Sequence, residues 1–483
     1  MSAPLILGTN SIKDTGYDVD NSIRYNDGDS PQLTRVNSSD GNLKNWTFSV
    51  WVKRSSGGAT KRLLHCRNSG GSQFASIFFN SSDQLEYSSS DGSNSDNLVT
   101  NRVFRDFSSW YNIVVVWDSD NSTSSDRIRF FVNGSRETSF ATSDFPALNQ
   151  ESMMSKGTAA STIGLGFQSV ANSEHFDGYM CEAVFLDGTT STDASEFGEF
   201  DEDSPTIWKP IDVSGLTFGS HGYYLDFEDS SALGDDVSGN NNDFTPSNFA
   251  STDQSTDTCT NNFATLNPLN VPTSNAPTFS EGNLISSTSD SAKFGGTSTI
   301  GVSSGKWYAE FKSAETGGEE KEMVGVTHSP AEDARNGNNV GRSAGSFAIR
   351  FLDGQQSNNN SASAYGSAFS VGDICQVALD VDNNQLYFGK NGQWGDGSGN
   401  FNQSTPTSAI TITTIANSTE GAYFFAVGDL SSSSGRSLIS CNFGSPPFSI
   451  SSGNADANGH GNFEYSVPSG YFALCSKNLA EYG

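Results

Sequence analysis

The chain has 483 residues, more than one hydrophobic core holds, so at least two domains are expected. Lys and Arg total 26 against 55 Asp and Glu, a formal net charge of −29, which repels phosphate backbones and anionic lipid and argues against nucleic acid or membrane as partners. Only 34% of residues are hydrophobic, a level at which disorder competes, yet 34 Phe, 14 Tyr and 7 Trp lie within alternating segments and can build a core.

The opening residues MSAPLILGTNSIKD have no basic n-region and a short apolar run, so no signal peptide is expected. No stretch is long enough to span a bilayer. Period-two alternation then recurs, with almost no helical periodicity. Trp46, Phe48, Val50 and Val52 share one face of Trp46–Lys53. Ile128, Phe130 and Val132 point away from Arg127 and Arg129. Asp193–Phe200 is the best candidate for a short helix, with Thr192 or Asp193 as N-cap. Strand signal then fades over Asp226–Pro277, and residues 228–275 are read as a partly ordered linker. It packs on its neighbours through aromatics such as Phe244, Phe249 and Phe263.

Alternation returns with Trp307, Ala309 and Phe311 against Lys306, Tyr308, Glu310 and Lys312. Phe347, Ile349 and Phe351 continue it. The turn pairs Asn133-Gly134, Asp187-Gly188, Asp353-Gly354 and Asn391-Gly392 punctuate these runs. One apolar and one wet face per strand implies antiparallel sheets packed face to face. The expected fold class is therefore all-β, two tandem antiparallel β-sandwiches with short helices only.

Six cysteines, Cys66, Cys181, Cys259, Cys375, Cys441 and Cys475, form no CxxC pair. Cys375 and Cys441 share strand faces with apolar residues, and the sparse spacing favours reduced thiols over disulfides. The five His show no HxH or HExxH spacing, so a zinc site is not expected.

Two resemblances follow. WTFSVWVKR (46–54), SSWYNIVVVWDSD (108–120), IRFFVNGSR (128–136) and FDGYMCEAVFLDG (176–188) occur in the order found in laminin-G/pentraxin-like domains of the concanavalin A-like superfamily. Residues 21–227 resemble such a domain. GKWYAEFK (305–312), VGDICQVALDVDNNQLYFGKNGQW (371–394) and SLISCNFGSPPF (437–448) resemble the first long strand, the most diagnostic segment and the terminal block of a SPRY domain. Residues 276–483 are assigned to it. Both families consist mostly of binding modules with a bent two-sheet sandwich, a concanavalin A-like jelly roll and then a SPRY-type sandwich.

Their combination resembles structural proteins of marine bacteriophages and prophages. The resemblance implies a non-enzymatic virion protein: a tail or head fibre, or a decoration subunit, bound through sandwich-edge loops to a host-surface glycan or protein. Residues 1–20 would dock on the particle or on a partner subunit. Other virion proteins are the implied partners, and a homo-oligomer, a trimer by analogy, the implied state. A polysaccharide-degrading glycoside hydrolase on the same scaffold, or a bacterial adhesin, are the competing readings.

The SPRY-like loops Arg335–Arg342, Asp353–Tyr365 and Asn391–Phe401 are the expected ligand contacts. Trp394, Tyr365 and Phe401 would stack on a sugar face or apolar anchor, oriented by Arg342, Asp353 and Asn391. The opposing reading has Trp394 merely covering the sandwich edge. Asp118, Asp120 and Asp126 flank a polar loop and suit Ca²⁺, which laminin-G-like domains often bind at a loop edge. Their ligand loop is incomplete, which favours a plain polar hairpin. Glu199, Asp201 and Asp203 alternate as the carboxylates of concanavalin A-like glycosidases do, but they precede Pro205 rather than lie in an apolar strand. A solvated acidic loop is the plainer account of them.

Overall fold

The structure is a computed structural model that describes residues 14–68, 70–157, 161–289, 293–314, 321–430 and 437–483. The chain divides into two compact units, which meet in sequence at Thr260 and Asn261. Both are antiparallel β-sandwiches, and the only α-helices among the described residues are α1 (Pro330–Asn336) and α2 (Ser476–Tyr482). Neither is long and apolar enough to cross a membrane.

In the first unit one sheet runs in the order Ser135–Arg136, Ile128–Val132, Trp110–Asp118, Asn45–Arg54, Gly178–Asp187, Ser22–Tyr25 and Gln254–Ser255. The other runs Phe140–Asp144, Ser95–Val103, Gln84–Ser90, Phe74–Phe79, Lys61–Asn68, Ser161–Leu165, Gln32–Arg35 and Thr245–Ser247. Alternation decides which side chains meet between them. Trp46 pairs with Trp117, Phe48 with Val115 and Val50 with Ile113, and all six are buried in one core with Ile77, Tyr87 and Leu98 of the facing sheet. The Trp46 and Trp117 rings lie parallel with centroids 6.2 Å apart.

The outer face of the first sheet is not wet. Val114, Val116, Val184 and Leu186 are roofed by Ala194, Phe197, Val213 and Phe218. Trp51, Trp110, Tyr179 and Cys181 are covered by Val19 and Cys259 among others. Here Lys53 is fully buried, its Nζ 2.7 Å from Asp257 Oδ2. Asp257 Oδ1 also accepts from Trp110 Nε1 at 3.1 Å.

The stretch 228–275, read as a linker, is divided between the two units. Leu233 and Phe244 enter the first core, Phe249 packs against it, and Thr245–Ser247 and Gln254–Ser255 each extend a sheet. Phe263 and Leu266 are buried in the second unit. Strands of two or three residues have too little periodicity to be read from sequence. No helix forms over Asp193–Phe200: Asp193 Oδ1 accepts from the Ser195 N–H in a local turn, and Gly198–Phe200 is a short strand beside Trp208–Pro210. Of the proposed docking segment 1–20, residues 1–13 lie outside the described residues. Its end belongs to the first unit, where Tyr17 reaches Glu182 and Val19 N–H donates to Thr260 Oγ1.

The second unit pairs a sheet ordered Thr278–Ser280, Ile285–Ser287, Leu438–Asn442, Lys306–Ser313, Ile374–Asp380, Gln385–Lys390, Gln393–Gly395 and Phe401–Gln403 with another ordered Phe294–Thr297, Phe424–Asp429, Glu322–Thr327, Ser346–Arg350, Gln356–Asn358 and Ser361–Ser363. Trp307, Ala309 and Phe311 face the core, as their spacing predicts. The face expected to be wet is covered instead. Tyr308 packs beneath Phe463 and Tyr471, and Glu310 is fully buried, accepting from the Glu464 and Tyr465 N–H groups at 2.9 and 2.8 Å.

All six cysteines are free thiols. Burial pushes the Cys66 and Cys475 thiols up to about 12.

Candidate functional site

The second unit places three cations around one pocket of about 280 Å³. The described residues of its wall are Pro272–Asn275, Lys293, Phe294, Arg335–Asn338 and Arg342, with no carboxylate among them. Each contribution has a local cause. Lys293 opens the edge strand Phe294–Thr297, which pairs with Phe424–Asp429. Arg335 lies in the last turn of α1, which starts with Pro330 at its first position and is anchored by buried Asp333, whose Oδ2 accepts from Thr327 Oγ1 at 2.7 Å. The helix stops at Gly337, which has φ 59 and donates its N–H to Ala334 O and Asp333 O. The chain then turns back, and Arg342 follows Gly341, whose N–H donates to Ser346 Oγ at 2.7 Å.

Arg335 and Arg342 are exposed, and Lys293 is half-buried. None of the three side chains has a hydrogen bond or ion pair among the described residues. The contrast with their neighbours is direct. Lys306 pairs with Asp380 at 2.8 Å, Arg350 with Asp353 at 2.8 Å and Lys390 with Asp373 at 2.8 Å. Those three cations are neutralised by carboxylates; at this pocket the cations are left available for an anion. Thr273, Ser274, Asn275, Asn336 and Asn338 add hydroxyl and amide groups.

The ligand residues expected from sequence are only partly brought together. Arg342 is at the pocket. Trp394 is 3% exposed, packed with Tyr308 and Phe463, and Tyr365 is 2% exposed within the main core. Their stacking role is therefore corrected: neither ring offers a face to a ligand, because both close the sandwich. Phe401 is partly buried against Phe369, with ring centroids 5.4 Å apart, and is likewise committed to packing. Asp353 is held by Arg350 and accepts from the Gln355 N–H. Asn391 builds its hairpin, with φ 49, accepting from the Ile374 N–H and donating to Asp373 Oδ1.

Tyr365→Phe separates the two readings. Tyr365 OH donates to Ser408 O at 3.0 Å and accepts from the Phe388 N–H at 3.0 Å. Losing both while keeping the ring should destabilise the unit by about 1–3 kcal/mol in urea unfolding and leave ligand binding unchanged.

The calcium reading is also corrected. Asp118 Oδ2 is 3.2 Å from Arg129 Nη1, Asp126 pairs with Arg136, and Asp120 Oδ1 accepts from Asn45 Nδ2 at 3.0 Å. Asp118 and Asp120 share the Asn45 amide, which donates to an oxygen of each, and Asp126 is tied to Arg136. Among the described residues no group of three or more His, Cys, Asp or Glu is placed to hold a metal ion. In the acidic run, Lys209 Nζ lies 3.4 Å from both Glu199 Oε1 and Asp201 Oδ2, while Asp201 Oδ1 accepts from the Asp203 and Ser204 N–H groups. These carboxylates fasten a loop.

Lys293 was missed by sequence reasoning, although a signal exists. No Lys or Arg stands between Lys209 and Lys293, so Lys293 is the lone cation of a long acidic and polar stretch.

Comparison with known proteins agrees with the two-unit division. The Laminin_G_3 family, described as the concanavalin A-like lectin/glucanases superfamily, matches residues 27–194, and the SPRY domain family matches 306–422. Among solved structures, the SPRY domain of human HERC1 is similar at 21% identity over 33% of this chain and 87% of that one, with a TM-score of 0.26. A native heptameric SAP-like pentraxin from Limulus polyphemus is similar at 16% identity over 36% of this chain and 80% of that one, with a TM-score of 0.26. No curated protein matches the chain.

Proposed function

We propose that this chain is a recognition protein of a virus particle, a tail or head fibre or decoration subunit, and that its second unit binds an acidic host-surface glycan at the Lys293–Arg335–Arg342 pocket. One observation carries the choice of site and ligand. In a chain of net charge −29, three cations that have no side-chain partner among the described residues line one pocket, and no carboxylate is among the described residues of its wall. Guanidinium groups suit the carboxylate or sulfate of a sugar, and the amides and hydroxyls around them suit its ring hydroxyls. A volume of 280 Å³ lies near the lower end of ligand pockets, about 300 Å³, so one charged ring is the expected occupant.

Binding of this kind needs no bond cleavage. The concanavalin A-like and SPRY matches support a carbohydrate- or protein-binding sandwich. The virion setting rests on the resemblance of the combined modules to phage structural proteins, and a homo-trimer is the oligomer proposed with it.

The test is a glycan array comparing uronate, sialylated and sulfated glycans with neutral ones, for the wild type and the double variant Arg335→Ala/Arg342→Ala. Charge-assisted hydrogen bonds contribute about 1.5–3 kcal/mol each, so the double variant should weaken binding roughly 100-fold or more. Raising salt should weaken it as well, and EDTA should not. Equal retention of neutral glycans, or a double variant that binds like the wild type, removes this reading.

A further inference from the structure

A second pocket, of about 660 Å³, lies in the first unit and brings Ser39, His221 and Arg35 onto one wall. Ser39 Oγ is 3.4 Å from His221 Nε2. On the other side of the ring, His221 Nδ1 is 2.9 Å from Ser220 Oγ and 3.5 Å from Asp187 Oδ2. Ser220 Oγ in turn donates to Asp187 Oδ2 at 3.3 Å. All of these contacts are satisfied together when Nδ1 carries the proton. Asp187 as a carboxylate only accepts, so the Ser220 hydroxyl spends its proton there and accepts from Nδ1–H. Nε2 is left with its lone pair facing the hydroxyl of Ser39.

We propose that Ser39 is a nucleophile activated by His221, with Asp187 and Ser220 as positioning residues, in a site that cleaves short acyl esters of polar alcohols such as O-acylated sugars. This goes beyond the recognition role and departs from the expectation of a chain without catalysis.

The burial gradient fits that division of labour. Asp187 and His221 are 8% exposed and Ser39 is open to solvent. The loop carrying Ser39 is fastened to the carboxylate that orients the histidine. Asn42 N–H donates to Asp187 Oδ1 at 2.8 Å, His221 N–H to Asp187 Oδ2 at 3.2 Å and Ser155 Oγ to Asp187 Oδ1 at 2.9 Å. Gly41 is required by this packing, because a Cβ there would meet Asp187 Oδ2 at 2.7 Å and His221 Nδ1 at 2.8 Å. Arg35 Nη1 donates to the main-chain His221 O at 3.0 Å, and its guanidinium lies over the Tyr223 ring. Asn241 is the amide on the pocket wall that faces a developing oxyanion, with the Arg35 charge behind it.

In the reaction, Ser39 Oγ bonds to the ester carbonyl carbon as its proton passes to His221 Nε2. The carbon–oxygen bond to the alcohol breaks, and His221 returns the proton to the leaving oxygen. Water then attacks acyl-Ser39, giving its proton to His221, which passes it to Ser39 Oγ as the acid departs. Ester and water become acid and alcohol, with no other co-reactant.

The test uses the full chain with a fluorophosphonate probe and peptide mapping, alongside p-nitrophenyl acetate hydrolysis. The expected adduct is on Ser39. Ser39→Ala should abolish it and lower hydrolysis at least 100-fold, and His221→Asn should slow labelling by about as much. Ser220→Ala, which leaves the loop contacts to Asp187 in place, should lower kcat with KM unchanged. An adduct elsewhere, labelling equally fast in His221→Asn and Ser220→Ala, or hydrolysis unaffected by Ser39→Ala overturns the proposal.

Discussion

Asp257→Ala is expected to destabilise the first unit by about 3–5 kcal/mol, because it removes the carboxylate paired with a buried cation. Lys53 and Asp257 are both essentially without solvent, and Lys53 Nζ has the Tyr179 ring 5.6 Å away on another side. Burial already lowers the Lys53 ammonium below its usual range, and Asp257 is the main influence acting in the other direction. Without that carboxylate, Lys53 loses the ion pair that offsets its burial, and Trp110 Nε1 loses its acceptor. A pair taken out of water is not in itself strongly stabilising, since desolvation offsets much of its attraction. Removing both charges, as in Lys53→Met/Asp257→Leu, should therefore recover most of the loss. Urea unfolding of the full chain reads both variants. A single variant within 1 kcal/mol of the wild type, roughly what an exposed pair yields, would contradict the argument.

The second large effect is a loss of stability with rising pH, centred on Glu182. This residue sits in the bulge of the strand Gly178–Asp187 with φ 50, is 5% exposed, and accepts from Tyr224 OH at 2.9 Å and Tyr17 OH at 3.4 Å. Burial pushes its carboxyl up to about 8, against the Tyr224 hydrogen bond and with Asp226 adding to the rise. The folded pKa lies above the unfolded value of 4.5, so the contribution is complete below about pH 4.5 and disappears as pH climbs through 8. At about 1.4 kcal/mol per unit, the first unit should lose roughly 5 kcal/mol across that window. Glu182→Gln keeps the shape without the charge and should flatten the slope. Glu310, pushed up to about 7 by burial in the second unit, acts with the same sign and would keep its own slope in that variant. Urea midpoints at pH 5 and pH 8.5 decide it; equal midpoints, or an unchanged slope in Glu182→Gln, would refute the assignment.

Most of the fold is legible where strands are long and aromatic. Trp46–Lys53, Ile128–Val132 and Lys306–Lys312 each place their alternating residues in the core their spacing predicts. What period two cannot reveal is what covers the other side. Tyr308 and Glu310 read as solvent-facing, yet the segment carrying Phe463 and Tyr471 closes over them through contacts distant in sequence. The same limit explains the aromatic rim. Trp394 and Tyr365 stand in loop-like sequence beside glycines, and Gly395 lets the Tyr365 ring pack where a Cβ would lie 2.4 Å from it. Hydrophobic payload was mistaken for display. Arg342 was named for the site because it stands in a SPRY-like loop; Lys293 and the Ser39–His221 contact required residues far apart in sequence to meet.

The point at which one unit passes to the next, Thr260 to Asn261, lies inside the long interval between Lys209 and Lys293. Trypsin has no bond to cut there, whatever the accessibility of the backbone. A digest will therefore carry Asp257 of the first core and Phe263 of the second on one uninterrupted peptide, and survival of that peptide says nothing about how firmly the units are joined. Separating them takes a protease that reads residues other than Lys and Arg.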